Sequence, residues 1–430
     1  MQYQTRRRAL AARLPKESVA LIPAAKEVVR NGDSTYRFRQ DSDFYYLTGF
    51  NEPDALLVVN AEGESYVFNR PRAPEQEQWT GARLGQELAP ERLKVDAAFS
   101  IEDLDRQLPD FLTGKQAIYF ALGRCPQWDA RIVAAWSLVK GRARRGVRAP
   151  DAFCDLQPIL GEMRLFKSPD EIALMQRAVD ISVAAHHRAM RVALKAQYEY
   201  ELEAELVYDM TRLGARSLAY DSIVAGGANA CVLHYTANNA PLCRGDLVLI
   251  DAGGEFENYA SDLTRTFPLN GQFSAEQREI YALVLQAQKA GMACVRPGHY
   301  WNEVQQAVVR TLTSGLCDLG LLKGSVDGLI TQEAYKSFYM HNSGHWLGLD
   351  VHDVGSYQIQ GAWRPFEPGM VLTVEPGLYI SPNHPGIDPR WGGIGIRIED
   401  DVLVTGEGCQ NLSQALVSEI DDIEALVRGG

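Results

Sequence analysis

The aliphatic run Leu247-Val248-Leu249-Ile250 has the continuous apolar character of a strand buried on both faces, yet it leads straight into Asp251 and then Gly253-Gly254. An acid at the end of a buried strand needs a partner. Asp262 follows after a segment, Glu255 to Ala260, that suits a hairpin turn, and residues directly opposite in a hairpin project from one face. Either acid alone is an ordinary strand end or turn cap. Two further apolar stretches repeat the pattern: Met370 to Val374 ends in Glu375, and Ile396 and Ile398 flank Arg397 ahead of Glu399. In a strand Arg397 and Glu399 share a face while the isoleucines pack the other, and this glycine-flanked, isoleucine-rich setting argues for burial over a surface ion pair. Four carboxylates in one interior site repel one another unless their pKa values rise or cations join them. Two divalent ions would balance them, generate a bridging hydroxide at neutral pH and polarise a carbonyl.

The segment from His341 to His352 holds three of the chain's eight histidines: His341, His345 and His352. A pair four apart can face one side of a helix, as in zinc proteases. Here Asn342 stands where the glutamate after the first histidine belongs, and Gly344 and Gly348 argue for loop or strand. A lone histidine is more often a satisfied core residue than a ligand, so the residues themselves leave the three roles open. One imidazole among oxygen ligands suits Mn²⁺ or a similar borderline ion.

At 430 residues the chain exceeds what one core organises, and two domains are expected. From about 18 to 160, short apolar runs (Ala55 to Asn60, Tyr66 to Asn69, Ala117 to Ala121) mix with helical stretches such as Ala130 to Lys140, the pattern of a small α/β domain over residues 1–160. Residues 161–430 then alternate helix pairs with strands. Ser168 with Glu171, around Pro169, forms a capping box that predicts a long helix to about Gln197; Ser274 with Gln277 opens another, ending near Pro297-Gly298. Helices around Glu199 to Leu213, Tyr300 to Gly315 and Thr331 to Tyr339 precede the strands that carry the acids and histidines. Two similar halves, packing helices on one face of a curved, mainly antiparallel sheet, account for this α/β (α+β) alternation.

Composition removes several function classes. A formal charge of −12 repels phosphate backbones, so no nucleic acid is expected. Nowhere do eighteen consecutive apolar residues occur, so no membrane span is expected. The basic Arg6 to Arg8 are followed by Pro15, Lys16, Glu17 and Pro23, which break any signal-peptide core. Seven cysteines without a C-x-x-C pair read as reduced thiols, and a cytoplasmic protein is expected.

On these residues the chain resembles the pita-bread metallopeptidases, and within them the Xaa-Pro aminopeptidase (aminopeptidase P) branch of the bacterial type. The matching text spans both domains: Asp41 to Phe50, Gly81 to Gly85, Leu233 to Thr236, Asp251-Ala252-Gly253, Ser261 to Pro268, the histidine segment, Val374 to Gly377 and Gly393 to Asp400. The pattern is varied at Asn342 and Gly344. The resemblance implies a small N-terminal α/β domain and a C-terminal pita-bread domain with pseudo-twofold halves. It makes Asp251, Asp262, His345, Glu375 and Glu399 the ligands of two divalent metal ions, Mn²⁺ ahead of Zn²⁺ or Co²⁺, with Asp262 and Glu399 bridging.

The resemblance also implies that His234 faces the scissile amide nitrogen, His352 the carbonyl oxygen, and that Glu375 shuttles the proton of the attacking water. Arg397 is the arginine that bonds Asp251 and is met by Tyr379. His341, Tyr220 and Trp79 are substrate-side residues, Trp79 coming from the N-terminal domain of this or a neighbouring subunit. The activity implied is release of the first residue from peptides with proline second, by a homodimer or homotetramer. A prolidase, confined to Xaa-Pro dipeptides, shares the metal set. An inactive binding module and creatinase share the fold without the ligands, and here no ligand is missing.

Overall fold

The computed structural model describes residues 2–429, which divide into two compact units, the first ending at Arg164 and the second beginning at Leu165. The first unit is built on a six-stranded mixed sheet. In spatial order its strands are Ala97–Ser100, Ser65–Asn69, Leu56–Asn60, Ser18–Pro23, Ala117–Tyr119 and Ala152–Cys154. Ser18–Pro23 pairs antiparallel with Leu56–Asn60 and parallel with Ala117–Tyr119. The apolar runs seen in the sequence are thus the central strands. Leu21, Val58, Phe68 and Ile118 pack with Leu104, Leu108 and Leu112 of the helix Leu104–Leu112 and with Ile132 and Val139 of the helix Pro126–Lys140 in one buried cluster.

In the second unit all described strand pairs are antiparallel. Ile223–Gly226, Leu247–Asp251 and Thr264–Pro268 form one three-stranded sheet; Val371–Val374, Asp400–Val404 and Cys409–Asn411 form another; Gly377–Ile380 pairs with Ile394–Arg397. Each three-stranded sheet follows a helix pair, Pro169–Val192 with Glu199–Leu213 and Ala275–Ala293 with Trp301–Asp318. An isolated bridge between Thr264 and Glu399 ties the two sheets together at the level of the acids.

Both capping boxes form. The Ser168 backbone N–H donates to Glu171 Oε2 at 2.9 Å, and the Ser274 N–H to Gln277 Oε1 at 2.9 Å. Helix ends depart from expectation. The helix expected to reach Gln197 stops at Val192, where Lys195 and Ala196 both fold back onto the Val192 carbonyl and turn the chain into the next helix. The helix expected over Thr331 to Tyr339 is instead Val326–Thr331 followed by the 3-10 turn Ala334–Ser337. Glu333, in the left-handed region at φ 53°, separates them.

Candidate metal centre

The strand Leu247–Asp251 pairs with Thr264–Pro268 so that Asp251 stands opposite Thr264, and Asp262 lies two residues before that partner. The two acids are therefore not directly opposite as expected. The hairpin between them turns at Glu257 and Asn258, both at positive φ, with Gly254–Phe256 pairing back onto Tyr259–Ala260. An even displacement keeps both carboxylates toward one side. The Tyr220 hydroxyl reaches both, lying 2.6 Å from Asp251 Oδ1 and 2.5 Å from Asp262 Oδ1.

One cavity of about 570 Å³ is lined by Asp251, Asp262, His345, Glu375 and Glu399 together with His234, His341, His352, Tyr220 and Arg397. Ligand-type atoms of Asp262, His345 and Glu399 all lie within 4.8 Å of one another. His345 Nε2 is 3.3 Å from Asp262 Oδ2 and 3.7 Å from Glu375 Oε1. Its Nδ1 lies 3.0 Å from the Trp346 carbonyl. A carbonyl only accepts, so Nδ1 carries a proton and Nε2 is the nitrogen turned to the cavity, the one that would ligate a metal ion once its own proton leaves.

The carboxylates are held individually. Thr264 Oγ1 donates to Glu399 Oε2 at 2.7 Å and accepts from Arg397 Nε at 3.2 Å. Arg397, buried, donates through Nη2 to Asp251 Oδ2 at 2.6 Å and through Nη1 to the Tyr379 hydroxyl at 3.0 Å. That hydroxyl lies 2.8 Å from His341 Nε2, and His341 Nδ1 lies 2.7 Å from the Asn342 carbonyl. With Nδ1 protonated, the Tyr379 hydroxyl must donate to Nε2, giving a directed chain from the guanidinium through Tyr379 to His341. His352 stands edge-on to His345, ring centroids 4.3 Å apart. Trp79 lies on the helix Pro74–Thr80 of the first unit and is 88% exposed.

Electrostatics follow from burial. Burial raises the Glu399 carboxyl well above its ordinary value, with the charges of Asp262, Glu375 and Asp251 adding to it. Burial also raises Asp251, opposed by Arg397, and lifts Glu375 to about 7, opposed by His345. His345 rises to about 9 because the hydrogen bond and charge of Asp262 outweigh its burial. Burial lowers His341, to about 4, and His352. Acids that resist ionising together, around an imidazole that turns Nε2 toward them, fit a divalent cation: its charge relieves the repulsion and its coordination uses oxygen-rich donors.

Several supporting residues escaped the sequence reading. Gln305, on the helix Trp301–Asp318, accepts from both the backbone N–H and the hydroxyl of Ser343 at 2.7 Å, and Ser343 also meets the Tyr339 hydroxyl at 2.7 Å. The Ser343 carbonyl in turn accepts from the Glu375 N–H at 2.9 Å. Nothing local in the sequence marks Gln305, thirty-eight positions from its partner. Thr264 did carry a signal, a β-branched polar residue two places after Asp262.

Residues 173–406 match Metallopeptidase family M24, and residues 3–119 match the Aminopeptidase P, N-terminal domain. The chain is 47% identical to the Xaa-Pro aminopeptidase of Escherichia coli (strain K12) and 48% identical to that of Haemophilus influenzae, in each case across 99% of this chain and 97% of the relative. It is similar to the solved structure of a Pseudomonas aeruginosa aminopeptidase, with a TM-score of 0.97 and 48% identity, covering 100% of this chain and 98% of that one. With this likeness running from end to end, the chain belongs to metallopeptidase family M24, among its Xaa-Pro aminopeptidases.

Proposed function

We propose that the protein is a dinuclear-metal aminopeptidase that releases the first residue from peptides with proline in the second position. The observation that carries this reading is the donor set, four carboxylates and one imidazole held through Nδ1 around a single cavity, in a chain whose near full-length relatives are named Xaa-Pro aminopeptidases. Asp251, Asp262, His345, Glu375 and Glu399 would hold two ions, Mn²⁺ ahead of Zn²⁺ or Co²⁺. Ligand-type atoms of Asp262, His345 and Glu399 lie within 4.8 Å of one another, which supports these three at the heart of the set that would hold the ions. Bound there, the ions would supply Lewis acidity at the scissile carbonyl and water acidic enough to attack at neutral pH.

The remaining steps fall to the side chains. Glu375 takes the proton of the attacking water and delivers it to the prolyl nitrogen, which bears no hydrogen in the substrate and must gain one to leave. His352 donates to the carbonyl oxygen as negative charge collects there, and His234 stands by the amide nitrogen. Arg397 holds Asp251 in place, while Tyr220, His341, Tyr379 and Trp79 serve the substrate side. A homodimer or homotetramer is part of this reading, to be checked by light scattering. A cytoplasmic location agrees with the seven cysteines, all free. Among the described residues no helix is long and apolar enough to cross a membrane.

The test is an assay of the Mn²⁺-loaded protein on Xaa-Pro-Yaa tripeptides and Xaa-Pro dipeptides. Tripeptide cleavage is expected; cleavage of dipeptides alone would make the protein a prolidase, and no gain of activity after metal loading would make it an inactive binding module.

A further inference from the structure

Glu199 opens the helix Glu199–Leu213 and is fully buried, yet no step of the mechanism uses its carboxylate. Both of its oxygens accept twice. Oε1 takes the Gly226 N–H at 2.8 Å and the Asn229 side-chain amide at 2.9 Å, while Oε2 takes the Tyr235 hydroxyl and the Ala240 N–H, each at 2.8 Å. The acceptor capacity of a carboxylate is thereby filled, as burial demands. All four donors come from one stretch of chain, Gly226 to Ala240.

That stretch carries His234. After the 3-10 turn Gly227–Cys231, residues 232–240 form neither helix nor strand, so no ladder of backbone hydrogen bonds holds their course. Among the described residues the His234 ring makes no hydrogen bond or ion pair, and it is exposed to the catalytic cavity, which it lines with Leu233 and Thr236. Its place is therefore set by the path of its backbone. Glu199 grips that path on both sides, ahead of His234 at Gly226 and Asn229 and after it at Tyr235 and Ala240. The Glu199 N–H also donates to the Ala240 carbonyl at 3.1 Å. Asn238, at φ 46°, ties the end of the loop to the strand Ile223–Gly226, accepting from the Val224 N–H at 2.9 Å and donating to the Ser222 carbonyl at 2.8 Å.

We infer that Glu199 is a positioning residue for His234: by taking four donors from the loop, one carboxylate holds the imidazole beside the amide nitrogen of the bond that breaks. The inference rests on the aminopeptidase reading above, through the place that reading gives His234. Glu199→Gln keeps the shape but puts an amino group where an oxygen accepted. In either orientation of the amide that group faces a backbone N–H, of Gly226 or of Ala240, which cannot turn away, and the loop loosens. Tyr235→Phe is milder, removing one donor of the four.

The test is a double-mutant cycle on Mn²⁺-loaded protein with the tripeptide Ala-Pro-Ala, at enzyme concentrations that read slow turnover. Glu199→Gln is expected to lower kcat about tenfold and Tyr235→Phe about threefold, with bound metal unchanged by elemental analysis. In a His234→Ala background neither change is expected to lower kcat further, since a residue that acts through His234 has nothing left to position. Should Glu199→Gln fail to fold, Tyr235→Phe makes the same comparison. Equal fold losses in the two backgrounds, a loss that follows metal content, no loss from either variant, or undiminished turnover in His234→Ala would overturn the positioning role while leaving the activity intact. A wild-type protein that cleaves no tripeptide would instead overturn the aminopeptidase reading, and the inference with it.

Discussion

Arg397 and Asp251 meet through a single 2.6 Å hydrogen bond between Nη2 and Oδ2, the charged contact of a buried guanidinium with the acid that ends the strand Leu247–Asp251. The pair fixes one side of the metal centre before any cation arrives. Removing the arginine strands Asp251 in the interior. Arg397→Met is therefore expected to destabilise metal-free protein by about 3–5 kcal/mol, and by less in the Mn²⁺-loaded form, where bound charge replaces the lost guanidinium. Thermal unfolding with and without chelator measures both values; equal losses would sink the argument.

Glu399 is raised by burial and by the charges of Asp262, Glu375 and Asp251. Glu399→Gln keeps the shape and removes one of the repelling charges. Its metal-free form is expected to exceed wild type in stability at neutral pH, because the carboxyl that resists ionising is gone. Its turnover and its metal content, read by elemental analysis, are expected to collapse. A variant less stable than wild type in both forms would show that repulsion among the acids does not govern the empty centre.

Gln305 acts on the site through Ser343, whose carbonyl accepts from the Glu375 N–H. Gln305→Ala leaves the Ser343 donors without their acceptor, at about 1–3 kcal/mol. A fall of about tenfold in kcat is expected as the segment holding His341 and His345 loosens. Gln305→Glu, which keeps an acceptor in reach, is expected to recover most of the rate. Equal losses in the two variants would count against a positioning role.

His186 is buried, and its Nε2 lies 2.9 Å from the Ala252 carbonyl, so Nε2 carries the proton and Nδ1 has no partner. Burial, helped by the charge of Arg265, lowers its pKa to about 4 against the hydrogen bond that would raise it. The unfolded chain binds the proton near 6.5, so the stability from neutral His186 is complete above that pH. It declines by about 1.4 kcal/mol per pH unit as pH falls and levels off below about 4, roughly 3 kcal/mol in all. In Mn²⁺-loaded protein, His186→Gln is expected to show a shallower loss of stability between pH 6.5 and 4, by urea unfolding. An identical slope would refute it.

The acids were legible because continuous aliphatic runs rarely end in a charge: Asp251 and Glu375 announce themselves by what precedes them. Capping boxes at Ser168 and Ser274 marked helix starts because the partners lie three residues apart. What stayed hidden depends on distant chain or on backbone angles. The two-residue displacement of Asp262 comes from a turn at Glu257 and Asn258, where neither residue is a glycine that would flag it. The same holds for Glu333, which breaks a helix that periodicity alone extends. Gln305 and Tyr339 converge on Ser343 only once the helix and the loop are packed, and no spacing rule reaches that far.

His341 and His345 each give the Nδ1 proton to the carbonyl of the very next residue, Asn342 and Trp346. One nitrogen of each imidazole is thereby held by the main chain, which no point substitution exchanges. A substitution among the side chains around the two imidazoles leaves those Nδ1 contacts in place, so each ring keeps Nε2 on its present heading. The chemistry is insured at the level of the peptide bond, and the cavity walls remain free to change the diet of the enzyme.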